Sequence, residues 1–263
     1  MKTRRCGVAG MFYPRDPHHL EQLLEKLFSL KEAGVDAMGI VSPHAGYPYS
    51  GEISALAYTA IPASFAGTFV VIGPSHRGYR TCMSLIPWET PLGIVDTDVS
   101  FGSSLDLDED EVSHQEQENS LEVQVPFIKY RFPRARIVPI LMGDQDIGGA
   151  RELSRILIQG IRVSGRTDIR IVASSDFSHY VPEKVAREND LYAIAALEHL
   201  DVGEFYRRIR SRRVSACGYG PVAAMCLVCR ELGATTGRLL RYSTSGDVTE
   251  DPEVLGYAAI AVM

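Results

Sequence analysis

No apolar run in the sequence approaches the roughly 18 residues of a membrane-spanning helix, so it does not read as an integral helical membrane protein. The opening stretch Met1-Lys2-Thr3-Arg4-Arg5-Cys6 lacks the apolar segment of a secretion signal. Cysteine is scarce. The 5 in 263 residues (Cys6, Cys82, Cys217, Cys226, Cys229) are an odd number at irregular spacing, which argues against a disulfide framework and fits a reducing cytoplasm. Positive charge is also short: 27 Lys and Arg against 33 Asp and Glu leave a net charge of −6, unsuited to a general grip on nucleic acid. The exception, Arg207, Arg208, Arg210, Arg212 and Arg213, reads as a solvated helix face. There is no Gly-x-Ser-x-Gly elbow and no Walker loop, and the Gly218-x-Gly220 turn lacks the third glycine of a dinucleotide fingerprint. No linker, repeat or low-complexity tract interrupts residues 1–263, which therefore read as one domain.

What the chain does have is an alternation of apolar runs and amphipathic segments. Asp16-Pro17 opens a helix whose Leu20, Leu23, Leu24 and Leu27 form one stripe. Strands are predicted over Met38–Val41, Thr68–Ile72, Arg136–Leu141 and Arg170–Ser174. Two closing β-rich runs cover Arg238–Ser243 and Val254–Val262. Helices are predicted from about Gly51 to Ile61, from a cap at Ser120 through Ile128, from Ile147 to Ile161, and near 183–200, 202–210 and 217–232. Cys82–Ile86 and Leu92–Val95 read as a hairpin. This order predicts an α/β fold, a central mixed, largely parallel sheet covered on both faces.

The chemistry gathers just after the apolar runs. Ser42-Pro43-His44-Ala45-Gly46-Tyr47 follows one strand and Gly73-Pro74-Ser75-His76 follows another, at the carboxyl ends where open α/β sheets collect functional groups. A single histidine there is usually structural. Two of them, each fixed by Pro and Gly neighbours, together with Cys217, form a donor set for a first-row transition metal. Asp176 and His179, in Asp176-Phe177-Ser178-His179, read either as orienting and proton-moving groups or as a capped turn with a packed imidazole. Glu118-Asn119-Ser120-Leu121-Glu122 reads as a capping segment, and Cys226-x-x-Cys229 as core thiols, since a zinc site would need a second pair. His18, His19, His114 and His199 have no supporting neighbours.

At these residues the chain resembles the Memo family, relatives of the class III extradiol dioxygenases. The likeness spans nearly the whole length. It includes Ala9-Gly10-Met11-Phe12-Tyr13-Pro14, Pro43-His44-Ala45-Gly46-Tyr47, Gly73-Pro74-Ser75-His76 and Glu118-Asn119-Ser120-Leu121-Glu122-Val123-Gln124. It continues through Ser174-Ser175-Asp176-Phe177-Ser178-His179, Cys217-Gly218 with Pro221, Ser245-Gly246-Asp247 and Gly256-Tyr257-Ala258-Ala259. The resemblance implies a class III extradiol dioxygenase-like fold with one cleft. It also implies an iron or copper site on His44, His76 and Cys217, with Asp176 and His179 beside it and His179 as acid–base. It implies partners too, an AMMECR-type protein and a radical SAM protein, as in the AmmeMemoRadiSam association.

Two departures matter. Cys217 stands where the dioxygenases place a carboxylate; its thiolate is softer and itself oxidisable, which puts catechol cleavage in doubt while matching the Memo pattern. Asn119 stands where the family commonly reads His, and an amide cannot exchange a proton near neutral pH. The expectation is thus a metal-binding redox protein that oxidises a small organic molecule with O₂. A second reading is a non-catalytic module binding a peptide or protein in a vestigial cleft, with Tyr47, Tyr49, Tyr180 and Tyr219 as lining. A zinc hydrolase is a third; it suits the donors but lacks a general base beyond the candidates Glu118 and Glu122.

Overall fold

A computed structural model describes residues 2–29, 33–115 and 118–263. Its strands in chain order are β1 (Gly39–Ser42), β2 (Thr68–Pro74), β3 (Cys82–Met83), β4 (Trp88–Thr90), β5 (Gly93–Val95) and β6 (Arg136–Met142). They continue with β7 (Ile169–Ser174), β8 (Val181–Pro182), β9 (Gly237–Thr244), β10 (Glu253–Val254) and β11 (Gly256–Val262). The helices are α1 (Pro17–Ser29), α2 (Tyr47–Tyr58), α3 (Val99–Gly102), α4 (Glu111–Gln115) and α5 (Asn119–Glu122). After these come α6 (Val125–Arg131), α7 (Ile147–Ser164), α8 (Glu183–Ile194), α9 (Val202–Arg212) and α10 (Tyr219–Glu231). No helix among the described residues is long and apolar enough to cross a membrane.

A 7-stranded sheet in the order β3-β6-β2-β7-β1-β11-β9 forms the centre. Its middle pairs, β6/β2, β2/β7 and β7/β1, are parallel; β3, β11 and β9 add antiparallel edges. The continuous apolar runs of the sequence are explained by burial on both faces. Along β2, Val70 and Ile72 point into one core, with α7 and α10, while Phe69 and Val71 point into the other, with α1, α2 and α6. The same alternation holds on β6, where Val138 and Ile140 face one core and Ile137 and Leu141 the other.

Four local expectations are corrected. The helix predicted from Gly51 begins at Tyr47, with Pro48 in its first turn; Ile53, Leu56 and Tyr58 are all buried, so no single apolar stripe marks its start. Cys82–Met83 pairs with β6 at the sheet edge, and the hairpin is instead Trp88–Thr90 with Gly93–Val95, turning through Pro91 and Leu92 into Gly93 at φ +109°. Ser120 does not cap a helix: the Glu118 side chain caps α5 by accepting from the Ser120 N–H, and Pro126 opens a separate α6. The run over 183–200 is α8 followed by a 3₁₀ turn at Ala195–His199. The predicted helices at Ile147–Ile161, 202–210 and 217–232 are α7, α9 and α10.

Candidate functional site

Three neighbouring parallel strands end side by side, and each delivers part of the site. β1 leads into Pro43-His44, β2 into Ser75-His76, and β7 into Ser175-Asp176. Cys217 comes from elsewhere, the loop between α9 and α10. Backbone pairing draws it in: the Cys217 N–H donates to the Asp176 carbonyl (3.2 Å) and the Asp176 N–H donates to Sγ (3.2 Å). Gly218 is required beside it, because a Cβ there would lie 2.3 Å from the Ser174 carbonyl oxygen.

His44 is 2% exposed, and its orientation follows from a chain of hydrogen bonds. Tyr58 donates to Gln124 Oε1 (3.0 Å), which turns Gln124 Nε2 toward the Pro43 carbonyl (2.9 Å) and Ser174 Oγ (2.8 Å). Ser174 Oγ donates its one proton to the Ser120 carbonyl (2.5 Å), so it can only accept from His44 Nδ1 at 2.9 Å. His44 therefore carries its proton on Nδ1 and turns the Nε2 lone pair toward Cys217 Sγ, 3.2 Å away.

His76 is held by Glu118, which accepts from the His76 N–H (3.0 Å) and from Nδ1 (2.9 Å). The pair is electrostatically matched. The Glu118 hydrogen bond raises the imidazole above its ordinary value against the effect of burial. Burial pushes the Glu118 carboxyl up, but the His76 hydrogen bond and charge outweigh it and bring it down to about 2. The His44 and His76 rings meet edge to face at 5.3 Å. Burial lowers His44 and pushes the Cys217 thiol well above its ordinary value, with the nearby Asp176 charge adding to the latter. An S–H donating to a neutral imidazole results.

His179 Nδ1 lies 2.7 Å from the Phe177 carbonyl and 2.9 Å from that of Ser215. Carbonyls only accept, so Nδ1 carries the proton and Nε2 is the basic nitrogen. Asp176 Oδ1 accepts from the His44 N–H (2.9 Å), and Oδ2 stands 3.9 Å from His44 Nε2.

All five sequence-predicted residues come together. Ligand atoms of His44, His76 and Cys217 lie within 4.8 Å of one another, as do those of Asp176, His179 and Cys217. Tetrahedral coordination at ordinary metal–nitrogen and metal–sulfur lengths needs donors about 3.4–3.8 Å apart, which small movements of the first trio reach. The donor types fit as well. Each imidazole has its Nδ1 tied to a partner and its Nε2 left over, the usual preparation of a metal-binding histidine.

His44, His76, Asp176 and His179 line a cleft of about 430 Å³ whose walls include Phe12, Tyr49, Asn119, Tyr180 and Tyr257. Asn119 donates to the His44 carbonyl (3.3 Å). Tyr47 and Tyr219, expected as lining, are elsewhere: Tyr47 is buried and donates to the Val123 carbonyl, and Tyr219 packs on Tyr206. Glu118, read from the sequence as part of a cap and as a candidate general base, caps α5 and holds His76, and that second role the sequence reading missed. Ser174 and Gln124 were missed too, although a glutamine between Val123 and Val125 in a buried run signals a polar network. Glu122 is committed elsewhere, to Arg4, the Tyr13 hydroxyl and the Gly7 and Val8 N–H groups. Cys226 and Cys229 are buried core thiols on α10, and burial pushes Cys226 up to about 12. Arg207 and Arg208 pair with Glu204 on an exposed helix face.

Fold and site together define an α/β protein with a His–His–Cys cluster, buried at His44 and open at His76, at the carboxyl edge of a parallel sheet. Residues 4–261 match the family described as Memo-like protein, and the chain belongs to it. A MEMO1 family protein of Methanococcoides burtonii is 44% identical over 266 residues, spanning 98% of this chain and 99% of its own. One from Archaeoglobus fulgidus is 40% identical over 263 residues, spanning 98% of each. The crystal structure of the uncharacterized protein JW3007 from Escherichia coli K12 shares the fold, with a TM-score of 0.51 at 12% identity over 86% of this chain and 99% of that one.

Proposed function

We propose that this is a redox-metal protein in which His44, His76 and Cys217 hold iron or copper and the cleft above them admits a small organic substrate for O₂-dependent oxidation. The observation that carries the reading is the pair of anchored Nδ1 atoms, with His44 Nε2 on the Cys217 sulfur and a His76 ring nitrogen within 4.8 Å of both. When bound, such a metal supplies a Lewis-acidic centre that exchanges electrons with dioxygen and substrate. The protein's own groups do the rest. His179, with Nδ1 anchored on two carbonyls, offers Nε2 to take a proton from a substrate hydroxyl and return it. Asp176 locks the His44 backbone and keeps Oδ2 for a donor in the cleft. Phe12 and Tyr257 line the cleft with apolar surface and limit water. Glu118 and Glu122, the general bases a zinc-type hydrolysis would draw on, are both engaged by other groups and neither lines the cleft.

The test is metal content and optical spectra of protein purified without oxygen. About one iron or copper per chain is expected in the wild type, with His44→Ala and His76→Ala losing it and Cys217→Ser losing it or shifting its spectrum. Full occupancy in both histidine variants overturns the site. Failure of the wild type to take up Fe(II), Cu(I) or Zn(II) moves the reading to a peptide- or protein-binding module.

A further inference from the structure

We propose that the cleft selects small organic cations, ligands bearing an ammonium or guanidinium group on an apolar or aromatic body. The inference rests on the reading that the ligand occupies the cleft over His44, His76 and Cys217. The titratable groups lining the cleft are His44, His76, Asp176, His179, Asp251 and Glu253, with four tyrosine and phenylalanine rings; among the described residues no lysine or arginine lines it. Asp251 and Glu253 flank the turn into β10, are exposed, and among the described residues make no ion pair.

The rim carboxylates do not stand alone. Asp176 is 3% exposed, and while Oδ1 accepts from the His44 N–H, Oδ2 has no hydrogen-bond donor among the described residues and lines the cleft. In a residue so little exposed, this oxygen takes its donor from whatever fills the cleft, and an N–H of a cationic ligand supplies one. Tyr49 and Tyr180 are 43% and 69% exposed at the cleft wall, and Tyr180 is held there at φ +53°, outside the ordinary range for a side-chain-bearing residue. Exposed phenol faces beside carboxylates are the surroundings that favour an organic cation. A bound divalent metal does not reverse the sign, because one thiolate and Asp176 neutralise it and leave the rim negative.

The experiment measures dissociation constants of benzylammonium, benzyl alcohol and benzoate by ligand-observed NMR. These probes share a ring and differ in charge. Chelator-treated, metal-free protein is decisive, since benzoate could ligate a metal directly. Benzylammonium is expected to bind at least about tenfold tighter than benzyl alcohol, with benzoate weakest. Asp251→Asn/Glu253→Gln should narrow that ratio to a few-fold and leave benzyl alcohol unchanged. Should that variant fold poorly, raising salt to about 0.5 M with the wild type should collapse the ratio instead. Benzoate binding as tightly as benzylammonium, or no probe binding at millimolar concentration, overturns the proposal. Metal content is read on the same preparations, so the charge preference can stand where the metal site fails, and the metal site where the preference fails.

Discussion

Ser174 has a single hydroxyl proton, and the Ser120 carbonyl at 2.5 Å takes it. Toward His44 it is an acceptor only, and that choice decides which imidazole nitrogen reaches Cys217. Partners that orient a metal-binding histidine commonly contribute 10–100-fold in affinity. Ser174→Ala should therefore weaken metal binding by about that factor while circular dichroism stays unchanged, as read by competition with a chelator of known affinity. Unchanged affinity would remove Ser174 from the site. Gly218→Ala acts more bluntly: its Cβ must displace backbone 2.3 Å away, next to Cys217. A loss of about 3 kcal/mol in urea unfolding is expected, at the upper end for overpacking.

At the level of elements, α8 governs the loop that carries Asp176 and His179. Asp190, fully buried on that helix, accepts from the Ser178 N–H (3.1 Å), the Ser178 hydroxyl (2.6 Å) and the Tyr242 hydroxyl on β9 (2.6 Å). Asp190→Ala strands a buried N–H and leaves the loop held by Gly256, whose N–H and carbonyl pair with the Ser178 carbonyl and the Phe177 N–H, and by Ser215 and Cys217. Stability should fall by about 2–3 kcal/mol, and the Ser178 and His179 amides should exchange faster in hydrogen–deuterium exchange. Protection equal to the wild type would show that these remaining contacts suffice to hold the loop. Such interactions explain what was legible in the sequence. His44 and His76 could be read because each follows a doubly buried strand, whose apolar run marks where the chain must emerge. Glu118 and Ser174 could not, because each acts on a partner from a different element, and a cap or a strand-end serine looks alike whether or not an imidazole lies across from it. β4 was missed, and β3 and β5 were paired with each other, for a related reason: two- and three-residue strands are set by what they pair with, not by their own periodicity.

Across the whole molecule, the opposite end of the sheet from the site is tied by charge. Asp98 caps α3 through the Phe101 N–H (3.1 Å), accepts from Thr68 at the start of β2 (2.5 Å), and pairs with Arg166 just ahead of β7 (2.9 Å). Burial pushes its carboxyl up, but these donors outweigh it and hold it below the ordinary value. A carboxyl lowered on folding stabilises the native state above its unfolded value near 4, and that contribution is lost as pH falls through the lower folded value. Asp98→Asn should thus be less stable than the wild type at pH 7 and differ from it less at pH 3 in urea titrations. A difference that does not shrink in acid would assign the loss to packing rather than to charge.

The donors to the cluster stand at positions 44, 76 and 217 and meet only through strands β1, β2 and β7 and the loop ahead of α10. A chain emerging from the ribosome thus carries its imidazoles long before its thiol, and the pocket cannot exist until synthesis has passed Cys217. β11, which pairs with β1, is made later still. If the cluster holds a metal as proposed, nascent chains are spared a half-built chelating centre, and loading would belong to the finished protein.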